Sequence, residues 1–538
     1  PDLQSEWDNN SDNVPDTYYE ATDGDKLEQA IKNAFLSILK RASSGTAASV
    51  LASGEGQGSN IIQSIFYPRR RFGNDIISWT GSLQNLWFYV DPFFQNSNIR
   101  EDTLQESPSR KLNLIDDYIA QLYFDTNTQT TRVRRYQDTD GDGDADTAQS
   151  TVDIENIGNI WEAGNILWSR NISTDPRTVY TNCDITGGSC IGTTKLMSFS
   201  QGNASTFASY LQATDVNGNG SNVDESQNII RYIHGEDITL DANGDGINDY
   251  RKRTATIGAS TYVWKLSDIL NSTPRISSWV QLNTYDTKYT DTTYRSGDTA
   301  GYINTSNYKN RGMVFTGAND GMLHAFKLGK LELPGQTGTT CSFGTYDKAC
   351  LSNPSGYLGG SSVVLGKEMW SFIPKNALPY LKYISDPNYC HLYTVDLSPY
   401  IFDASINGNP DDTKTENSWR TILIGGMRTG GACRGTTTTC TDVSGDGNKD
   451  CVNTPVDVSG SSVGFSSYFA LDITDQSSPT LLWEFSHPQL GFATTGPAVV
   501  RISAKDYSGN ADNSKNGYWF VVFGAGPTGP VSTADMQF

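Results

Sequence analysis

The stretch Gly312-Met-Val-Phe-Thr-Gly-Ala-Asn-Asp-Gly-Met-Leu-His-Ala-Phe-Lys-Leu328 leaves the backbone little choice. Two apolar runs flank an Asn-Asp-Gly turn, and such a sequence folds back on itself as a β-hairpin. The same texture recurs towards the C-terminus in Lys367–Pro374, Trp419–Gly426, Ser467–Thr474, Leu481–Ser486 and Tyr518–Gly524. Upstream, Ala48–Ser53, Asn60–Tyr67, Ile77–Asp91, Asp117–Asp125 and Thr131–Tyr136 read as strands as well. So do the Trp-bearing segments Ile166–Arg170, Tyr262–Leu266 and Ser278–Leu282. With 27 Tyr and 51 Gly, the composition suits many short strands joined by turns. Gly-ended hairpins with aromatic anchors, repeated irregularly, predict a mainly β chain built as propeller blades; an array of β-sandwiches is the plainer alternative.

The N-terminal region differs. Residues 1–17 are polar, after which Leu27, Ile31, Ala34, Phe35, Ile38 and Ala42 recur at helical spacing. Thr22 or Asp23 caps this helix and Ser43-Ser-Gly45 ends it. It spans about 26–42 and has no partner helix nearby in sequence. Residues 1–47 therefore read as the end of an upstream domain plus a linker, and 48–538 as the β unit. Thr181–Asp224 reads as a long connection, with a short helix within Asn203–Gln212.

Three polar stretches stand out against this background. They are Asp138-Thr-Asp-Gly-Asp-Gly-Asp-Ala-Asp146, Asp241-Ala-Asn-Gly-Asp-Gly-Ile-Asn-Asp249 and Asp442-Val-Ser-Gly-Asp-Gly-Asn-Lys-Asp450. Each puts oxygen-bearing side chains at positions 1, 3, 5 and 9 and glycine at 6, the spacing that wraps a hard cation in oxygen ligands. The predicted calcium ligands are Asp138, Asp140, Asp142, Asp144 and Asp146; Asp241, Asn243, Asp245, Ile247 and Asp249; and Asp442, Ser444, Asp446, Asn448 and Asp450. Asp144, Ile247 and Asn448, at position 7, would offer backbone carbonyls. Position 12, a bidentate Glu in helix–loop–helix sites, is Gln149, Lys252 or Asn453. Asp153 or Glu155 is the candidate to complete the first loop. The plain alternative is a solvated Asp/Gly/Asn turn. Asp215-Val-Asn-Gly-Asn-Gly220 carries Val223 at its ninth position and is read as a turn.

A net charge of −20 argues against sequence-independent nucleic-acid binding. Arg69-Arg-Arg71 reads as a solvated turn, and Arg251-Lys-Arg253 as an offset to the second acidic loop. The eight Cys fall as Cys183/Cys190, Cys341/Cys350 and Cys440/Cys451, with Cys390 and Cys433 remaining. Short spacings inside Gly/Thr-rich segments fit disulfide-stapled loops of a secreted protein; pairing does not follow from sequence, and neighbour pairing plus Cys390–Cys433 is the expected set. There is no Cys-x-x-Cys and there are only four His, which gives zinc no ligand set. No apolar run is long enough to span a membrane, and any signal sequence is taken to have been removed.

The motif Gly317-Ala-Asn-Asp-Gly-Met-Leu-His-Ala-Phe326 resembles a blade of quinoprotein-like propellers. After it come Glu368–Lys375, Tyr393–Pro399, Arg420–Met427, Tyr468–Asp475, Leu482–Ser486 and Trp519–Gly524. That order is similar to the PilY/PilC family of type IV pilus tip adhesins. Trp79–Leu83 and the opening helix resemble that family's segment between a von Willebrand A-type domain and the propeller. The resemblance implies a modified quinoprotein-like β-propeller with long loop insertions and a calcium-regulated, non-catalytic function. It also implies export through the periplasm to the cell surface and the pilus tip. Minor pilins and a host or abiotic surface are the implied partners, and pilus biogenesis, adhesion and twitching motility the implied roles. Two departures matter. The Asp-x-Ser-x-Ser site of the A-type domain is not in this chain, and the family's propeller calcium loop lies further towards the C-terminus, so calcium rests here on ligand spacing. The family also continues past Gly524-Ala-Gly-Pro527 into another strand, so the chain reads as a fragment.

Two other readings compete. A quinoprotein dehydrogenase needs a clamped quinone, a catalytic Asp and a stacking Trp. Asp320 or Asp396 and Trp370 are the candidates, but no vicinal Cys-Cys lid is present. The plainer reading has Asp320 shaping a hairpin, Trp370 packing between blades, and His324 and His391 buried and hydrogen-bonded. The third reading is a passive structural cap for minor pilins.

Overall fold

The computed structural model describes residues 49–51, 58–91, 96–105, 110–127, 130–215, 218–241, 244, 246, 248–257, 259–387, 389, 391–407, 414–431, 457–458, 461–462, 464, 466–487, 489–503, 505–510, 512 and 516–526. The predicted helix at 26–42, the third acidic loop and Cys390, Cys433, Cys440 and Cys451 lie outside these residues.

The chain is mainly β. Its first sheet grows from a long hairpin, Gly58–Phe72 against Asp75–Tyr89, and continues antiparallel through Asn98–Arg100, Ile119–Asp125, Thr130–Gln137 and Thr147–Asp153. Arg69-Arg-Arg71 belongs to this hairpin rather than to a turn, and the Arg70 guanidinium lies over the rings of Tyr67, Phe72 and Trp264.

The predicted hairpin at 312–328 forms as Gly312–Gly317 paired with Leu323–Lys327, in the register Met313↔Lys327 to Gly317↔Leu323. It occupies the middle of a six-stranded sheet with Arg275–Ser278, Glu368–Ile373, Val179–Asn182 and Leu196–Ser198. Both faces of this sheet are covered. Val314 and Phe326 pack with Ile62, Trp87 and Leu351, whereas Met313, Phe315, Leu323 and Trp370 pack with Leu423, Phe469 and Leu471. Alternate residues of a strand point to opposite faces, so a strand covered on both sides reads as a continuous apolar run. The second group joins the central sheet to a four-stranded antiparallel sheet, Tyr400–Ala404, Arg420–Gly426, Tyr468–Asp472 and Thr480–Phe485. Ala498–Arg501 pairs with Trp519–Val522. The described strands form open sheets, with no closed sheet among them.

Three local readings change. Ile166–Arg170 is not a strand: Ala163–Ser169 is helical, because the Glu162 carboxylate caps its start by accepting from the Gly164 and Asn165 amides at 2.8 and 2.6 Å. The strand expected at Ser278–Leu282 ends at Ser278. Val223–His234 is an unforeseen helix that begins with acidic Asp224 and Glu225, ends at Gly235 with φ +104°, and buries Ile229, Ile230 and Ile233. A short helix, Ala204–Phe207, forms within the segment where one was expected. Disulfides join Cys183 to Cys190 and Cys341 to Cys350, stapling two local loops.

Candidate cation site

The first acidic loop connects the adjacent strands Thr130–Gln137 and Thr147–Asp153. The Asp146 amide donates to the Gln137 carbonyl at 3.0 Å and closes it. Inside, Asp138 organises the turn. Its Oδ1 accepts from the Gly141 amide at 2.7 Å and its Oδ2 from the Gly143 amide at 3.0 Å. These bonds turn the backbone inward and gather carboxylates. One oxygen each from Asp138, Asp140 and Asp146 lies within 4.8 Å of the others. Asp142 and Asp144 are outside that trio; Asp142 Oδ1 accepts from the Asp144 amide at 2.9 Å. Some desolvation, then repulsion from Asp142, Asp146, Asp138 and Asp140, holds the Asp144 carboxyl above its ordinary value. Asp146 is held below it by bonds from the Thr139 amide and hydroxyl.

A residue that the spacing gave no reason to suspect anchors the loop. The Arg100 Nη2 donates to Asp138 Oδ2 at 2.7 Å, and both side chains are fully buried. Arg100 Nη1 also donates to the Leu114 and Asp117 carbonyls at 2.6 and 3.2 Å. Asn98 Nδ2 donates to the Gly143 carbonyl at 2.8 Å. Burial pushes the Arg100 guanidinium below its usual value, and Asp138 opposes that shift. The proposed completing ligands are engaged elsewhere: Asp153 meets Arg132 at 3.1 Å and Glu155 meets Arg70 at 3.4 Å.

Two glycines are required by geometry. Gly141 and Gly143 have φ of +79° and +106°, and a Cβ on them would stand 2.4 Å from the Tyr346 ring and 2.6 Å from the Tyr89 ring. Gly143→Ala combines left-handed strain with an aromatic clash. Chemical denaturation should show a loss of about 1–3 kcal/mol, whereas an unchanged midpoint would mean that the Tyr89 ring yields.

The second loop is closed the same way. Asp241 accepts from the Gly244 and Gly246 amides at 2.7 and 2.9 Å, and the Asp249 amide donates to the Leu240 carbonyl at 2.7 Å. Of its five predicted ligands, Asn243, Asp245 and Ile247 lie outside the described residues. All five predicted ligands of the third loop, Asp442, Ser444, Asp446, Asn448 and Asp450, lie outside as well. Among the described residues, Arg251 and Arg253 meet aromatic rings. Their guanidinium carbons lie 4.0 Å from the Tyr389 ring centre and 3.6 Å from that of Tyr232. Asp215 carries a related capped turn, accepting from the Asn219 and Gly220 amides at 3.0 and 2.7 Å. Sequence reading missed another at Asp506, which accepts from the Ser508 and Asn510 amides, both at 2.8 Å. Its signal is the alternating oxygen spacing Asp506-x-Ser508-x-Asn510-x-Asp512.

The residues proposed for quinone chemistry are structural here. Trp370 is buried in the apolar layer, with its indole N–H donating to the Gln476 carbonyl at 2.7 Å. Asp320 accepts from the Met322 amide at 3.3 Å within the hairpin turn and lies 3.1 Å from His324 Nε2. Asp396 accepts from Asn271 and Arg428. His391 meets Asp268 at 2.8 Å. Both histidines are thus buried or nearly so and carboxylate-bound, as expected.

No family model matches the chain. It is 25% identical over 316 residues to the type IV pilus biogenesis factor PilY1 of Pseudomonas aeruginosa, a match covering 57% of this chain and 18% of that protein. PilY1 of the UCBPP-PA14 strain matches over 374 residues at 25% identity, covering 68% of this chain and 22% of that one. A PilY1 homologue of Xylella fastidiosa matches 40% of this chain at 25% identity, over 9% of its own length. The crystal structure of the P. aeruginosa PilY1 C-terminal domain aligns with 47% of this chain and 32% of that one, at 23% identity and a TM-score of 0.24, too low to carry a fold argument. Among the described residues no helix is long and apolar enough to cross a membrane. The chain spans less than a quarter of the curated relatives it matches, and those relatives are PilY1-type type IV pilus biogenesis factors.

Proposed function

We propose that this chain is the non-catalytic, calcium-binding part of a type IV pilus protein that works in pilus biogenesis, surface adhesion and twitching motility. The observation that carries the pilus reading is the match to PilY1, a type IV pilus biogenesis factor, over more than half of the chain. In this proposal residues 48–538 build a modified quinoprotein-like propeller, whose blades include the face-to-face sheets around Phe315, Trp370 and Phe469. Residues 1–47 lead in from a von Willebrand A-type domain. The protein is exported and presented at the pilus tip, where it meets minor pilins and a host or abiotic surface.

Calcium is proposed to sit in the first loop, on Asp138, Asp140 and Asp146, supported by the convergence of their carboxylates. Hard cations take six to eight oxygens, so Asp142, the Asp144 carbonyl and water would complete the shell. The second and third loops are proposed as further sites on the same spacing. Extracellular modules bind calcium at about 10⁻⁴–10⁻³ M, so the loops would order and loosen as external calcium varies.

The test is deletion of the gene in its own host, with complementation by the intact gene. Surface pili and twitching should be lost and restored together. Normal piliation and motility in the deletion strain would overturn the pilus reading. Retained pili with lost attachment would assign the adhesive role, whereas lost pili would assign the structural one.

A further inference from the structure

A cavity of about 20 Å³ lies where the long hairpin of the first sheet meets the segment following the second acidic loop. Trp79 and Thr80 line it from the hairpin, Arg251 and Arg253 from the segment after the loop, with Lys265 and Asp320 completing the polar wall. That is room for a single water-sized or chloride-sized particle. We propose that this cavity binds a small monovalent inorganic anion of chloride size.

The charge balance points that way. Three cationic side chains face one carboxylate, and that carboxylate is already committed. Asp320 accepts from the Ser267 amide at 3.3 Å, from the Met322 amide at 3.3 Å, and lies 3.1 and 3.2 Å from His324 Nε2. Lys265, 4% exposed, donates to the Trp168 and Val263 carbonyls, both at 3.1 Å, and forms no ion pair among the described residues. Arg251 donates to the Ser78 carbonyl and Arg253 to the Tyr232 carbonyl. Neither of these arginines forms an ion pair among the described residues. Burying cations without a counter-charge is costly. Burial, then repulsion from Arg177, Arg253 and Arg170, pushes the Lys265 ammonium down to about 7. A bound anion relieves that repulsion, whereas a neutral water does not.

Hydrogen-bond accounting gives a second, independent observation. Thr80 is 1% exposed, and its hydroxyl finds no partner among the described residues. The Arg253 Nε is also buried without a partner. The Thr80 hydroxyl, the Arg253 N–H and the Lys265 ammonium can all donate, as an anion requires, against the single carboxylate of Asp320 on the same wall. The walls are stiff. The Gly81 amide donates to the Leu266 carbonyl at 3.0 Å, and a Cβ at Gly81 would stand 2.0 Å from the Ser267 carbonyl oxygen. Trp79 is held at φ +55° with its indole stacked 3.7 Å from the His391 ring. Strained non-glycine residues persist only where their surroundings fix them, and they gather at binding sites. With room for about one water-sized particle, the cavity suits a halide better than phosphate, sulfate or an organic carboxylate.

Thermal unfolding of the chain at constant ionic strength, with chloride exchanged for gluconate, tests the site. Chloride should raise Tm by about 1–3 °C over gluconate. Arg253→Gln should abolish the difference. Thr80→Val, which keeps shape and removes the hydroxyl, should weaken the chloride dependence several-fold, and serves if Arg253→Gln does not fold. Crystals grown in bromide should give an anomalous peak between Lys265, Arg253 and Thr80. Equal Tm in both salts, or a bromide-free cavity containing only water, would overturn the proposal.

Discussion

Glu368→Gln should cost about 3–5 kcal/mol of unfolding free energy, the range for breaking a buried ion pair. Glu368 is buried and receives Arg177 through two bonds of 2.7 Å, from Nε and Nη2. His324 Nδ1 sits 2.7 Å from Glu368 Oε1, the oxygen that also receives Arg177 Nη2, and Arg170 Nη1 lies 3.8 Å from Oε2. Burial alone would raise its pKa, but the Arg177 guanidinium, then His324, holds the carboxyl far below the usual carboxylate range. Glutamine fills the same space but has one acceptor oxygen and no charge. Arg177 would then be left buried with its Nη1 on the Ile233 carbonyl at 2.9 Å and no carboxylate. The damage falls on the central sheet, because Glu368 pairs with Phe326 across one edge and its strand runs parallel to Val179–Asn182 on the other.

The same network sets a pH signature. Burial lowers the His324 pKa, but Asp320, then Glu368, more than reverse this and lift it to about 9. A group whose folded pKa is raised stabilises the fold fully below its unfolded value of about 6.5, and that stability fades as pH rises through the folded value. The His324 contribution should therefore fade between about pH 6.5 and pH 9, by on the order of 3 kcal/mol, against the opposite slope of Lys265, so it is read as the difference between the parent and the Glu368→Gln urea midpoints across that range. In Glu368→Gln the window should narrow, because one of the two carboxylates that hold the imidazolium is gone. A variant within 1 kcal/mol of the parent at pH 6, about the size of an ordinary surface change, would show that the network is not what fixes the sheet.

None of this network is legible in the sequence, since Arg177 and Glu368 are 191 residues apart. Local signals fared better. The hairpin around Asn319-Asp320-Gly321 was readable because its turn chemistry and both apolar runs are contiguous. The strands at 58–89, 119–137 and 420–426 were readable for the same reason. Ile166–Arg170 failed because a short apolar run carries no period of its own, and the deciding residue, Glu162, sits outside it as a cap. Val223–His234 was hidden by the Asn/Gly-rich sequence before it, although Asp224 and Glu225 at one end and Gly235 at the other mark its limits. The acidic loops lay between these cases. Spacing alone located the capped turn of Asp138, but not Arg100, 38 residues upstream, which no spacing rule reaches.

That buried arginine separates two effects that Asp substitutions in the first loop would otherwise confuse. Asp140 and Asp146 are exposed, so Asp140→Ala should leave calcium-free stability close to that of the parent, whereas Asp146→Ala also removes the bonds from the Thr139 amide and hydroxyl. Either should abolish calcium-dependent stabilisation from this loop. For the parent, about 10 mM calcium acting on a dissociation constant of about 10⁻⁴–10⁻³ M gives roughly 1.4–2.7 kcal/mol. Asp138→Ala should behave differently. It strands Arg100, fully buried at the same point, and frees the Gly141 and Gly143 amides, so about 3–5 kcal/mol should be lost even in chelator. Arg100→Met reverses the dependence. It leaves Asp138 buried without its cation, and removes a positive charge 2.7 Å from a proposed ligand, so the variant should be unstable in chelator and regain more stability from calcium than the parent does. Denaturant unfolding in chelator and in calcium, alongside calorimetric titration, resolves all four variants. If calcium gives no heat and moves no midpoint, the first loop is a carboxylate-capped hairpin turn whose one cation is Arg100, and the metal assignment falls while the stability cost of Asp138→Ala remains.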